Sequence, residues 1–183
     1  MIISLAGYPG SGKSTVGKLL AKKLEYKKYS MGDLRRAEAR ERGMTLEEWN
    51  KFGETSEETD IPVDKRLEKL GKEEDNFVID SRLAWYFVPN SFKVFLNVDP
   101  TVGAKRIYGD IKSGDRPEQK QYSSLDEVIQ ADQDRTDSDN RRYDKYYGVK
   151  WDDFDNFDLM LDTSDTSPEE VVEKIIDKMS QKQ

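Results

Sequence analysis

The chain of 183 residues contains no cysteine and no histidine. Without cysteine, disulfide bonds and thiolate chemistry are excluded, and the two absences together remove the usual ligands of a zinc site. The lack of histidine also excludes the commonest general base. Any chemistry must therefore use lysine, arginine, aspartate, serine and a bound metal ion.

Long apolar runs and a net basic charge are also missing. The formal net charge is −7, from 30 basic and 37 acidic residues, which argues against nucleic acid as a partner. No apolar run approaches the length of a membrane span, and Met1 begins a predicted strand rather than a signal peptide. We expect one compact domain, monomeric and cytoplasmic, with no membrane partner.

The most informative stretch is the first fifteen residues. An apolar run at residues 1–6 predicts a buried strand, and the helical spacing of apolar residues after position 15 predicts a helix. Between them lies a complete phosphate-loop pattern, Gly-x-x-x-x-Gly-Lys-Ser/Thr, whose glycines let backbone N–H groups surround a phosphate at the helix N-terminus. The predicted ATP-binding residues of this loop are Gly7, Tyr8, Pro9, Gly10, Ser11, Gly12, Lys13, Ser14 and Thr15.

Three side chains at this loop have predicted roles. Lys13 can reach the β- and γ-phosphate oxygens, and the hydroxyl of Ser14 can bind Mg²⁺. Asp80 ends an apolar strand, and ligands of parallel sheets bind at the carboxyl ends of strands. We therefore predict a Mg²⁺ site at Ser14 and Asp80; a strand-end turn is the alternative interpretation of Asp80.

Predicted strands alternate with helices along the rest of the chain, which indicates a parallel sheet covered on both faces. The segment 31–71 is helical, charged and poor in apolar residues, so it predicts an inserted flap. The segment 108–122 combines glycine, proline and charge and predicts a mobile segment. Further strands are predicted at about 26–30, 77–80, 92–98 and 158–161, and helices at about 34–42, from 45, at 59–70, 100–107 and 124–147, and from 168.

The arginines indicate the type of acceptor. Arg135, Asp139 and Arg142 are spaced i, i+4, i+7 and so share one helix face, where the arginines can form a cationic clamp. Weak ion pairs on a solvated helix are the alternative. A phosphate acceptor needs guanidinium groups rather than a general base, whereas a hydroxyl acceptor would need one positioned aspartate. The composition favours a phosphate acceptor.

Seven stretches, spread over nearly the whole chain, carry a resemblance to a known family. They are residues 7–15, 30–36, 43–51, 60–66, 80–84, 104–107 and 135–148. The chain resembles the nucleoside monophosphate kinases, and most of all the short cytidylate kinases of archaeal type. The most specific elements are Gly-Asp-x-x-Arg at 32–36 and Arg-x-x-x-Asp-x-x-Arg-Tyr at 135–143.

This resemblance implies an α/β P-loop kinase fold, with a five-stranded parallel sheet in the order 2-3-1-4-5 and helices on both faces. It implies a single domain with a core (1–30, 72–107 and 148–183), a flap that binds the nucleoside monophosphate (31–71) and a lid region (108–147).

The resemblance also implies roles for particular residues. Arg135 and Arg142 would span the donor and acceptor phosphates, Asp139 would accept from ribose hydroxyls, and Arg106 would lie over the ATP base. Asp110 stands where adenylate kinases have a lid arginine, so Arg116 or Arg141 is expected to replace it. The implied acceptor-binding residues are Gly32, Asp33, Arg36, Asp64, Arg82 and Asp139.

We therefore predict Mg²⁺-dependent transfer of a phosphoryl group from ATP to CMP or dCMP, with Lys13, Arg135 and Arg142 as catalytic residues. A selective cytosine pocket needs a donor and an acceptor together. The candidates are Asp64, Lys65, Arg66 and Arg82, and a solvated helix face is the alternative for the first three. An adenylate-kinase-like or other small-molecule P-loop kinase stays open, whereas a regulatory NTPase and an RNA-associated ATPase are disfavoured.

Overall fold

A computed structural model describes residues 1–114 and 120–181. Its five strands form one parallel sheet in the order β2-β3-β1-β4-β5, as predicted. The strands are β1 (Ile2–Gly7), β2 (Lys27–Ser30), β3 (Phe77–Asp80), β4 (Phe92–Asn97) and β5 (Leu159–Asp162). Every residue of β1 and β3 is buried, because central strands of a parallel sheet are covered on both faces.

Eight α-helices are described. They are α1 (Lys13–Leu24), α2 (Met31–Glu41), α3 (Leu46–Gly53), α4 (Ile61–Glu73), α5 (Ala84–Phe87), α6 (Pro100–Ser113), α7 (Leu125–Tyr147) and α8 (Pro168–Ser180). None of these helices is both long and apolar enough to cross a membrane.

Two predicted helix boundaries were wrong, and one helix was missed. Helix α2 begins directly after β2, because the Oγ of Ser30 accepts from the backbone N–H of Asp33 and caps the helix there. Helix α6 extends past Ile107 to Ser113, so the segment predicted to be mobile begins as helix, with Ile111 buried. The short helix α5 was not predicted. Residues 115–119 of the predicted mobile segment lie outside the described residues.

The core lies on both faces of the sheet. On one face α1 and α8 pack against β1, β3 and β4, with Leu5, Leu20 and Ile175 fully buried. On the other face Val63 and Leu67 of α4 pack against Phe77 and Ile79. Residues 31–71 were predicted to hold few core residues, and α4 is the part of this segment that covers the sheet directly.

The strand register brings the chemistry-bearing residues to one edge of the sheet. Asp80 at the end of β3 lies beside Leu5 of β1 and beside Ser30 of β2. The phosphate loop follows β1 and helix α2 follows β2, so both begin at the same edge as Asp80. The carboxyl ends of these strands form the floor of a cavity that α2, α4 and α7 enclose.

Candidate active site

The cavity at this edge has a volume of about 470 Å³ and a wall rich in charge. Its basic lining residues are Lys13, Arg35, Arg36, Arg82, Arg106 and Arg135. Its acidic lining residues are Asp60, Asp64, Asp80, Asp110 and Asp139. Residues 9–15 of the predicted phosphate loop line it as well, together with Gly32.

The phosphate loop lies over the N-terminus of α1. Gly12 precedes the helix with φ of 81°, and the Nζ of Lys13 donates to the backbone oxygen of Tyr8 at 2.7 Å and to the Oγ of Ser11 at 3.3 Å. Gly7 and Tyr8 do not line the cavity; the ring of Tyr8 instead packs edge-on against Phe95. Residues 9–15 of the loop therefore face the cavity, and the Lys13 side chain folds back over the loop.

Helix α6 supports the loop from outside the motif. A Cβ on Gly103 would lie 2.8 Å from the backbone oxygen of Pro9, and a Cβ on Gly10 would lie 2.3 Å from the backbone oxygen of Gly103. Two backbones can approach this closely only where both residues are glycine. Gly103 was not singled out from the sequence, because its partner lies far away in the chain.

The predicted metal ligands are adjacent. The Oγ of Ser14 donates to the Oδ2 of Asp80 at 3.1 Å. No group of three or more acidic side chains suited to a metal occurs in residues 1–114 and 120–181. This donor set fits Mg²⁺, which uses one or two protein ligands and completes its octahedron with water and substrate phosphates.

Three of the predicted arginines, Arg36, Arg82 and Arg135, line the same cavity. Arg36 pairs with Asp33, which does not line the cavity itself. Burial, followed by the charges of Arg36 and Arg35, lowers the pKa of Arg135 to about 10, and burial with the charge of Arg135 lowers that of Arg82 to about 9. Within the described residues the buried Nε of Arg135 has no hydrogen-bond partner. This crowding of positive charge favours a bound anion.

Arg142 lies beneath the cavity rather than in its wall. Its side chain is fully buried, its Nε donates to the Oδ2 of Asp60 at 2.9 Å, and it also pairs with Asp139. The predicted clamp of Arg135 and Arg142 is therefore not formed. Helical spacing places both arginines on one face, but α3 and the N-terminus of α4 cover the C-terminal part of that face.

Asp139 lines the cavity and binds two arginines. Its Oδ1 pairs with Arg142 and its Oδ2 with Arg82. Asp139 therefore holds two arginines in place. Each carboxylate oxygen can accept a second hydrogen bond, so the ribose contact stays a prediction.

Four other candidates lie away from the cavity or outside the described part of the chain. Lys65 and Arg66 are exposed, which agrees with the solvated-face alternative. Arg141 is on the surface and donates to Glu54 at 2.7 Å. Arg116 lies outside the described residues.

Asp64 faces the cavity with a partner that sequence reasoning missed. It is 7% exposed, and the hydroxyl of Tyr147 donates to its Oδ2 at 2.6 Å. Burial raises the pKa of Asp64 to about 7, with a contribution from the charge of Asp60. The apolar side chains of Met31 and Val63 line the cavity with it.

The opposite end of the cavity lies against α6 and α8. Arg106 donates to the backbone oxygens of Gly10 at 3.2 Å, Thr163 at 2.7 Å and Ser164 at 3.1 Å. Pro168 and Val171 add apolar surface there. The Arg106 guanidinium thus joins the phosphate loop to the segment after β5.

Known proteins resemble this chain over nearly its full length. Residues 3–130 match the family described as an AAA domain. Cytidylate kinases of Archaeoglobus fulgidus and Sulfurisphaera tokodaii are each 34% identical, covering 96% and 97% of this chain and 93% of each relative. A shikimate kinase structure from Acinetobacter baumannii superposes with a TM-score of 0.62, covering all of this chain and 94% of that one, at 16% identity, so it supports the fold alone.

Proposed function

The chain belongs to the cytidylate kinase family of nucleoside monophosphate kinases, and we propose that it transfers the γ-phosphoryl group of ATP to CMP or dCMP. The observation that supports the proposal is one cavity with cationic groups on two sides. Lys13 and the phosphate loop form one side, and Arg36, Arg82 and Arg135 form the other.

The charge distribution suits two polyanions better than one. Bringing two phosphate groups together requires cationic groups that offset their repulsion, and the planar guanidinium is well suited to phosphate oxygens. Burial and the charge of Arg135 lower the pKa of Arg82, and burial and the charges of Arg36 and Arg35 lower the pKa of Arg135. A bound phosphate would relieve this repulsion, so the acceptor phosphate is assigned to this side.

The donor is assigned to the opposite side. Residues 9–15 would hold the ATP phosphates, and Arg106, with the apolar surface of Pro168 and Val171, would contact the base. Gly32, Arg36, Asp64 and Arg82 form the acceptor site. Lys13 on the donor side and Arg135 on the acceptor side are the proposed catalytic residues.

Ser14 and Asp80 are the residues that would hold Mg²⁺. The ion would neutralise charge on the β- and γ-phosphates of ATP. The Ser14 hydroxyl and the Asp80 carboxylate are close enough to hydrogen bond, so both can bind the same ion, each directly or through a water molecule.

The reaction needs no general base, because the acceptor oxygen belongs to a phosphate that is already ionised. Lys13 and Arg135 stabilise the charge on the transferred group, while Arg36 and Arg82 hold the acceptor phosphate in line with it. Residues 31–71 would act as a flap and the described residues 108–114 and 120–147 as a lid, and together they would exclude water, since an open site would hydrolyse ATP.

An acceptor panel tests the proposal. The purified protein is assayed with ATP and Mg²⁺ against CMP, dCMP, UMP, AMP and shikimate, with and without excess chelator. We expect kcat/KM to be highest for CMP or dCMP, and activity to disappear with the chelator. A preference for AMP would indicate an adenylate-kinase-like enzyme, and turnover of shikimate alone would contradict a phosphate acceptor.

A further inference from the structure

The contact between Asp64 and Tyr147 joins two distant helices at the cavity wall. Asp64 lies in the first turn of α4 and Tyr147 is the last residue of α7, 83 residues further along the chain. The tyrosine hydroxyl donates to Oδ2 at 2.6 Å. Of the described residues, Tyr147 alone donates a hydrogen bond to this carboxyl group.

The charged neighbours of Asp64 are already paired with another acid. Arg35 on α2 donates to the Oδ1 of Asp60 at 2.7 Å, and Arg142 on α7 donates to its Oδ2 at 2.9 Å. The negative charge of Asp60 itself opposes ionisation of Asp64. Asp64 is therefore buried without a cation of its own, which favours its neutral form and agrees with the raised pKa of about 7.

A neutral carboxyl group offers one O–H donor and one carbonyl acceptor. Because the Tyr147 hydroxyl donates to Oδ2, this oxygen acts as the acceptor and the proton resides on Oδ1. The tyrosine thus gives the group a fixed direction. Without it, the two oxygens could exchange roles.

We propose that Asp64 and Tyr147 form the base-recognition element of the acceptor site, in which Asp64 Oδ1–H donates to N3 of cytosine and Oδ2 accepts from its N4 amine. This inference rests on the proposed function. The apolar walls of Met31 and Val63 suit a flat base beside this polar pair.

The fixed positions of the donor and the acceptor on Asp64 distinguish cytosine from uracil. Uracil presents an N3–H donor and an O4 acceptor, so it would place donor against donor and acceptor against acceptor. A site built to hydrogen-bond one pattern rejects the reversed pattern strongly, because buried polar groups lose their partners. Adenine presents the same pattern as cytosine at N1 and N6, so this pair distinguishes amino bases from keto bases. Discrimination between cytosine and the larger adenine depends on the apolar walls of the cavity.

The test measures kcat/KM for CMP and for UMP between pH 6 and pH 8.5. The ionisation of the acceptor phosphate is common to both substrates and cancels in their ratio. We expect the wild-type ratio to fall as pH rises through about 7, because the carboxylate cannot donate to cytosine N3 but can accept from uracil N3–H. The ratio reports the free enzyme, since kcat/KM follows groups of the free form.

Two variants separate the roles of the pair. Asp64→Asn carries a donor and an acceptor that do not titrate, and Tyr147 still orients its amide, so we expect a preference for CMP that no longer changes with pH. Tyr147→Phe removes the orienting hydroxyl, and we expect the CMP/UMP ratio to fall roughly tenfold. Tyr146→Phe is the matched control, because that hydroxyl donates to the backbone oxygen of Gly53, outside the cavity.

Several outcomes would overturn the inference. If folded Asp64→Asn lost its activity toward CMP, the charged carboxylate would be the required form. If it changed the CMP/dCMP ratio and left the CMP/UMP ratio intact, Asp64 would contact the ribose. An equal effect of Tyr146→Phe and Tyr147→Phe would make the tyrosine contact purely structural. Wild-type protein that phosphorylates neither CMP nor UMP would refute the proposed function itself.

Discussion

The Nε of Arg142 donates to the Oδ2 of Asp60 at 2.9 Å, although 82 residues separate the two in the chain. Asp60 also accepts from Arg35, and Arg142 continues to Asp139, which pairs with Arg82 in the cavity wall. The result is a buried row of alternating charges from α2 to the segment after β3. This row fixes the position of Arg82 relative to α7.

Replacement of Asp60 should destabilise the fold strongly. Asp60→Ala leaves the buried guanidinium groups of Arg35 and Arg142 without their shared partner. Removing one member of a buried ion pair costs about 3–5 kcal/mol. We expect a loss of this size in the free energy of unfolding, measured by urea denaturation.

An exposed aspartate provides the control for this variant. Asp155→Ala, on the surface, should change the free energy of unfolding by no more than about 0.5 kcal/mol. An Asp60→Ala protein as stable as the control would mean that the row of charges contributes little to folding.

Lys13→Ala should abolish turnover and leave the fold intact. The lysine contacts backbone and side-chain oxygens of its own loop, so its loss removes charge from the phosphates rather than packing from the core. Loss of a preorganised charged donor typically costs about 100- to 1,000-fold in kcat. Steady-state assays and circular dichroism measure the two effects, and Lys18→Ala, exposed on the same helix, is the control. Substantial activity in Lys13→Ala would place the site elsewhere.

The sequence was sufficient for features that depend on residues close together in the chain. The phosphate loop and the alternation of strands and helices follow from local patterns. The adjacency of Ser14 and Asp80, 66 residues apart, follows from the rule that ligands of parallel sheets bind at the carboxyl ends of strands. The order of the strands came from the family resemblance, because single-chain periodicity does not say which strands are neighbours.

The sequence was insufficient for features that depend on how deeply a side chain is buried or on partners that are distant in the chain. Helical spacing placed Arg135 and Arg142 on one face, but only packing against α3 and α4 determines that Arg142 is buried beneath the cavity. The pairing of Tyr147 with Asp64 depends on where α7 ends relative to α4. The extension of α6 past Ile107 was missed because the charged and glycine-containing segment obscured the single buried Ile111.

Gly103→Ala should weaken ATP binding. The new methyl group would lie 2.8 Å from the backbone oxygen of Pro9, so the phosphate loop or α6 must move. We expect KM for ATP to rise several-fold, because backbone N–H groups of a displaced loop no longer surround the phosphates. Gly109→Ala is the matched control: it lies in the same helix with open space around its Cβ position, and should stabilise the helix by about 0.5–1 kcal/mol. Equal ATP affinity in both variants would show that the glycine contact does not shape the loop.

The free energy of unfolding should depend on pH, because Asp64 is neutral in the folded protein. Burial raises the pKa of Asp64 from its usual 3.8 to about 7 in the folded state. Well below pH 3.8 the group is protonated whether the chain is folded or unfolded, and its stabilising contribution is fully present. As pH rises toward 7 the unfolded chain loses this proton while the folded chain keeps it, so the contribution falls.

The expected size of this effect is about 3 kcal/mol between pH 4 and pH 7, with little change above pH 7. Urea unfolding of the wild type and Asp64→Asn over pH 4–8 measures it, because the difference between their unfolding free energies isolates the titration of this one group. If the wild type instead gained stability over Asp64→Asn as pH rose, Asp64 would be an ionised carboxylate held by Arg35 or Arg142, and it would have no proton to offer cytosine N3.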